Sequence, residues 1–208
     1  MKTIVTIGRQ YGSGGREVGK KLSELLGIPL YDEEIVEMVA KDSNLHLDVV
    51  KKADEKATDS LLYSLITSGG LRGVSDAMQY DMPINDKVFI NQSKAIKELA
   101  AKGACIFVGR CADYILEDTE SLVRVFTYSD MDSKIKRISG IYDLAPKQAK
   151  DKIVKIDKTR KTYYNYYTDR TWGSLSSYDL CINTGLIGTD GAAEVIKAFV
   201  MKKEQANG

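Results

Sequence analysis

The residues most suited to chemistry lie near the start of the chain, in TIGRQYGSGGREVGKKL (6–22). A β-branched run enters this stretch, glycines crowd its middle, and residues with helical spacing leave it. Gly12, Gly14 and Gly15 let the backbone take positive φ and approach a ligand closely. Their N–H groups, followed by those of a helix beginning near Gly15, would converge on an anion, and the helix dipole favours negative charge there. The chemistry expected of Gln10, Tyr11, Gly12, Ser13, Gly14, Gly15, Arg16 and Glu17 is therefore phosphate binding. The alternative is an ordinary tight strand–helix connection.

Two phosphate motifs compete for this stretch. A dinucleotide fingerprint requires G-x-G-x-x-G and an acid about 20 residues on. Gly12-Ser13-Gly14 and Asp32 fit part of it, but Glu17 stands where the third glycine belongs. A Walker-type loop fits the distance between strand and helix better, yet its final Lys-Ser/Thr is missing. If Gly15 fills the lysine position, Arg16 is the nearest cation and is expected to do the lysine's electrostatic work. Glu17 then replaces the hydroxyl that would hold Mg²⁺, so the metal ligands stay undefined.

Elements must position this loop, and they alternate along the chain. TIVTI (3–7), IPLY (28–31), ACIFVG (104–109), LVRVFTY (122–128) and DLCINT (179–184) read as buried strands. Helical patterns follow at 15–26, at 33 to about 57, at about 87–102, at 132–140, at 146–168 and from about 190. Residues 68–86 are rich in Gly, Asp and Asn and read as loop. Such alternation predicts an α/β fold with a mostly parallel sheet covered on both faces. Ligands of such sheets sit outside the carboxyl ends of the strands. That edge would carry Gly8–Gly15, Tyr31–Asp32, Gly109–Arg110 and Tyr128–Asp130. Arg110 at a strand end suits bidentate capture of a phosphate; pairing with nearby Asp113 is the alternative. Asp157 and Arg160, three apart, share a helix face. Tyr163, Tyr164, Tyr166 and Tyr167 are expected to pack their helix on its neighbours with their hydroxyls in water, and Trp172 to anchor the returning chain.

Composition narrows the field. The 208 residues hold 30 Lys+Arg against 29 Asp+Glu, so no global charge supports nucleic-acid binding. His46 is the only histidine, which excludes a histidine triad or a multi-histidine metal site; it is expected on a helix surface. Cys105, Cys111 and Cys181 form no C-x-x-C and read as reduced thiols of a cytoplasmic protein. No apolar run is long enough to span a membrane, and MKTIVTIG runs straight into a strand rather than a leader.

GRQYGSGGREVGKKL, GIPLYDEEI, AAKGACIFVGRCADYIL, DKTRKTYYNYYTDRTWG and YDLCINT, in that order, resemble the cytidylate kinase-like family. The resemblance covers most of the chain and is weakest over 43–86. It implies a three-layer α/β/α P-loop nucleoside monophosphate kinase-like fold with a central five-stranded parallel sheet and a helical lid. The single domain would comprise a core (1–42, 87–131, 171–208), a substrate-side insertion (about 43–86) and a lid (about 132–170). The resemblance implies ATP at the glycine loop with Mg²⁺ bridging its phosphates, and CMP or dCMP as acceptor. Arg16, Arg110, Arg137 and Arg160 would neutralise the transferred group. Asp32, Arg110, Asp157, Arg160 and Arg170 would hold the acceptor. Small nucleotides are then the expected partners, with neither nucleic acid nor membrane. The family's carboxylate-serine/threonine after the second strand reads Asp32-Glu33-Glu34 here.

Overall fold

The computed structural model describes residues 2–43, 46–54 and 82–207. Five strands form one all-parallel sheet in the order β2-β3-β1-β4-β5. They are β1 (Ile4–Arg9), β2 (Leu30–Tyr31), β3 (Cys105–Val108), β4 (Leu122–Tyr128) and β5 (Leu180–Asn183). The helices are α1 (Gly15–Leu26), α2 (Glu33–Asp42), α3 (Leu47–Ala53), α4 (Ile84–Ala100), α5 (Ala112–Ile115), α6 (Met131–Tyr142), α7 (Pro146–Thr168) and α8 (Thr184–Asn207).

β1 is central because both its edges are paired, Ile4 standing beside Cys105 on one side and Leu122 on the other. A strand buried on both faces reads as a continuous apolar run rather than an alternating one. Val5, Ile7, Ile106, Val108, Val123 and Val125 turn to one face, where Val18 and Leu22 of α1 meet Ile196 and Val200 of α8. Ile4, Cys105, Phe107 and Leu122 turn to the other, under α2, α3 and α4. This two-residue alternation is the pleat expressed twice. The five-stranded parallel sheet expected from the sequence is present.

Three expectations shift. The helix foreseen from Glu33 breaks at Ser43 and resumes at Leu47; its continuation to Ala57 lies outside the described residues, as does most of the loop expected over 68–86. Residues 84–86 of that loop already belong to α4. The last helix begins at Thr184, six residues early, and is interrupted at Gly188 by a non-helical φ of 71° and ψ of 179°.

The helices α6 and α7 form a hairpin across the carboxyl edge. Ile138, Ala149 and Ile153 are their shared core, and Tyr11 of the glycine loop packs against it. In the tyrosine row, Tyr163, Tyr164 and Tyr167 are buried. Their hydroxyls are not wet, as expected, but donate to Gln92 Oε1 (3.2 Å), Asp113 Oδ2 (2.7 Å) and Asp86 Oδ1 (2.8 Å). Each of those acceptors is itself buried, and a buried acceptor is costly unless paired.

Candidate active site

The chain leaves β1 at Arg9 and turns through Gln10–Gly14 into α1. Gly12 and Gly14 take φ of 85° and 77°, a region in which a β-carbon is strained. Space is as demanding as conformation. A β-carbon on Gly14 would stand 2.6 Å from Thr189 Cγ2 and 3.2 Å from Arg137 Cζ, and one on Gly15 2.6 Å from both Arg9 Cβ and Thr127 Oγ1.

Side chains beneath the loop fix its shape. Ser13 Oγ donates to Gln10 O (2.9 Å) and lies 3.0 Å from Thr127 Oγ1. Thr184 Oγ1 donates to Ser13 O (2.7 Å), and Gln10 N–H to Thr127 O (3.0 Å). The hairpin supplies the rest. Asp157 Oδ1 accepts the Tyr11 N–H at 2.6 Å and Arg160 Nη1 donates to Arg9 O at 3.4 Å. Lys134, 5% exposed, reaches Gln10 Oε1 (3.2 Å) and Asp157 Oδ2 (3.4 Å). With these bonds made, no hydrogen bond among the described residues uses the N–H groups of Gly12, Gly14, Gly15, Arg16 or Glu17. Backbone donors in a loop that opens a helix form an anion cradle.

The cradle opens into a cavity of about 770 Å³. Gln10, Tyr11, Gly12, Gly14, Gly15, Arg16, Glu17, Asp32, Arg110, Arg137 and Arg160, all singled out from the sequence, line it. Arg9, Lys20 and Asp54 line it as well and were missed. Three expected site residues stand elsewhere. Ser13 is buried with its hydroxyl turned inward. Asp157 lies under the loop and braces it. Arg170 pairs with Glu117 and sits over the Tyr114 ring, 5.2 Å from its centre.

The arginines do not sit as the sequence suggested. Arg16, expected over the loop in the lysine's place, turns away from it: Nε meets Asp32 Oδ2 and Nη2 meets Glu33 Oε1, both at 2.8 Å. Arg137 of α6 instead lies against Gly14 and pairs with Glu17. Glu17 also accepts from Thr189 Oγ1 (2.6 Å) and Lys21 Nζ (3.2 Å). The Thr189 bond, then Arg137 and Lys21, hold its carboxyl down at about 2.

Arg110 neither stands free for a phosphate nor pairs with Asp113. The turn Gly109-Arg110-Cys111 is left-handed throughout, with φ of 77°, 54° and 55°. Two successive non-glycine residues in that region are a local strain of the kind found at functional sites. The turn delivers a guanidinium that is 5% exposed to two carboxylates. Nη1 meets Asp32 Oδ1 at 2.8 Å, while Nε and Nη2 grip Asp54 at 3.1 and 2.8 Å. Asp113, almost wholly buried, has its carboxyl pushed up by desolvation. His46 stands exposed at the start of α3, as foreseen.

The parallel sheet, the glycine loop opening α1 and the hairpin across the carboxyl edge define a P-loop kinase fold. The model of the cytidylate kinase-like family matches residues 4–186, and the chain belongs to that family. Its structure resembles that of an uncharacterized protein from Eubacterium ventriosum, with 31% identity, a TM-score of 0.74, and 97% of this chain and 99% of that chain covered. It also resembles shikimate kinase from Bacteroides thetaiotaomicron (12% identity, TM-score 0.53, 97% and 99% covered) and a gluconokinase from Sinorhizobium meliloti (11%, 0.50, 100% and 98%). At such identities these two show the fold alone. No curated protein matches the chain by sequence. Family and fold are those of the nucleotide and small-metabolite kinases.

Proposed function

We propose that the chain is an ATP-dependent phosphotransferase acting on a small acceptor. The observation that carries this reading is a glycine loop opening α1 beside the cavity and the Arg137 guanidinium, in which the N–H groups of Gly12, Gly14, Gly15, Arg16 and Glu17 enter no hydrogen bond among the described residues. Phosphoryl transfer is mostly positioning and neutralisation of charge, and this end of the cavity supplies both. The loop would seat the β- and γ-phosphates. Arg9, Arg137 and Arg160, from β1 and both hairpin helices, would neutralise the transferred group, as would Lys20.

Mg²⁺ suits the reading in a limited way. No cluster of three metal-ligating side chains occurs among the described residues. Glu17, in the first turn of α1, would hold the ion only by giving up Arg137. Mg²⁺ is commonly bound through one or two carboxylates plus substrate phosphates, and its chemistry here would be to draw charge from those phosphates.

CMP or dCMP is the acceptor implied by the family, and it would lie between the ends of β2 and β3. The second reading, a nucleotide-binding module without turnover, is favoured by the absent loop lysine. Release of ADP from ATP with CMP, dCMP, other nucleoside monophosphates and small alcohols tests these readings, with ATP binding measured separately. ADP release dependent on one acceptor supports the kinase. Tight ATP binding without release supports the module.

A further inference from the structure

Charged and polar groups line most of the cavity, but one stretch of its wall is apolar. Tyr11 comes to it from the glycine loop, and Ile138, Ile141 and Tyr142 come from α6. Ile141 and Tyr142 are 57% and 49% exposed, although both have large apolar bodies. They stand where the hairpin turns from α6 towards α7. Exposed apolar side chains scattered singly need no explanation. A pair that lines a cavity together with an aromatic ring is the kind of surface a ligand removes from water.

This wall continues the phosphate seat in two directions. Along the chain, Tyr11 precedes Gly12, whose N–H enters no hydrogen bond among the described residues. Along α6, Arg137, Ile138, Ile141 and Tyr142 follow i, i+1, i+4 and i+5, the spacing of one helix face. The Arg137 guanidinium lies against Gly14, and Ile141 follows one turn later, about 6 Å along the axis. One face therefore offers a cation and then apolar area. A nucleotide offers its phosphates and then, past the ribose, its base in the same order. The rings are also positioned in advance. Burial, and then a hydrogen bond with Tyr142, push the Tyr11 phenol up, so it stays neutral. Lys152 sits over the Tyr142 ring, 3.6 Å from its centre, and Arg160 over the Tyr11 ring, 5.7 Å from its centre.

We propose that Tyr11, Ile141 and Tyr142 form the base-recognition wall of this site, against which lies the nucleobase of a nucleotide whose phosphates reach the cations of the cavity. The inference rests on the phosphate-binding reading of the loop and deepens it by assigning the ring end of the ligand to the hairpin. Every base has a flat π face, so an aromatic and apolar wall holds ring-bearing ligands without reading the edge of the base. A bare polyphosphate or a sugar phosphate would leave this wall in water. Two nucleotides meet in the cavity under the proposed function, ATP and the acceptor, and the chemistry of a base is common to both.

Calorimetry on the full chain with Mg²⁺ tests the wall by comparing ligands with and without a ring: ATP against tripolyphosphate, and CMP against ribose 5-phosphate. The proteins are the native chain, Tyr142→Ala, Tyr142→Phe and Ile141→Ser, each checked by circular dichroism. Both residues are on the helix surface, so one truncation keeps the test open if the other does not fold. The expected result is ATP or CMP binding weakened at least ~5-fold in Tyr142→Ala, Ile141→Ser or both, with the matching ring-free ligand within ~2-fold and Tyr142→Phe close to native. Loss for ATP assigns the wall to its adenine, and loss for CMP assigns it to the acceptor's base. Equal loss for the ring-free ligands, or no loss in either truncation, would overturn the inference. So would a native chain that holds ATP no more tightly than tripolyphosphate and CMP no more tightly than ribose 5-phosphate. ADP release answers separately for the phosphotransferase: its absence with every acceptor would count against transfer, while ring-dependent binding would still decide the wall.

Discussion

Asp157 Oδ1 accepts the Tyr11 N–H at 2.6 Å, so a helix of the hairpin holds the first turn of the glycine loop. Its other oxygen faces the buried Lys134 ammonium. Asp157→Ala would leave both without that partner, and removing one member of a buried charged hydrogen bond costs about 2–3 kcal/mol. We expect a loss of that size in urea unfolding, with weaker ATP binding. Unchanged stability and affinity would show that the loop keeps its shape without the hairpin.

The place of the loop lysine, which the sequence assigned to Arg16, has Arg137 beside it instead. Arg137 lies against Gly14, whereas Arg16 points at Asp32 and Glu33. Arg137→Ala is expected to lower ATP affinity or turnover more than ~10-fold, roughly 1.4 kcal/mol. Arg16→Ala should leave ATP affinity within ~3-fold, below about 1 kcal/mol, and raise the KM of the acceptor instead. Titration of ATP into both proteins, with folding checked, reads the difference. The reverse order would restore Arg16 as the lysine's substitute.

Gly14→Ala should be among the most damaging small changes. It meets a φ of 77° and a contact of 2.6 Å with Thr189. The left-handed conformation alone costs about 1–2 kcal/mol for a residue with a β-carbon, and the clash adds to it. A lower Tm and loss of ATP binding are expected. A variant as stable as the native chain would show that the loop relaxes freely.

Acid should loosen the contact between α6 and α1 only at low pH. Glu17 is held at about 2, first by Thr189 and then by Arg137 and Lys21. Because the folded value is depressed, its stabilising effect is present above the ordinary carboxylate range, and it is lost as pH falls through about 4.5 towards 2. Glu17 is 40% exposed, so solvent screening keeps the effect small. Urea midpoints of Glu17→Gln against pH should be flatter than those of the native chain within that window. Parallel curves would remove Glu17 from the acid response.

The parts of this site made by neighbouring residues were legible in the sequence. A β-branched run, three glycines and an amphipathic helix dictate one another over twenty residues, and the loop formed as expected. Arg110 was singled out because strand ends share one edge of a parallel sheet, and Arg137 by the family resemblance alone. What escaped was made by distant pairs. Nothing near Asp54 announces that it meets Arg110, 56 positions on. Lys134 belongs to the basic run Lys134–Arg137, which reads as a solvated helix face, and only the hairpin's packing puts it under Gln10. Arg16 was misplaced for a related reason. Sequence distance ranked it by closeness to the loop, whereas its direction is set by two carboxylates at the end of β2. The early start of α8 was hidden by Gly185 and Gly188, which read as loop.

The most direct measurement is ADP release from ATP by the purified chain across the acceptor panel, beside ATP titration of the native protein and Arg137→Ala. The account predicts acceptor-dependent release by the native chain, and for Arg137→Ala an ATP affinity or turnover lower by more than ~10-fold. A native chain that does not bind ATP, or whose release is the same with and without every acceptor, would contradict it.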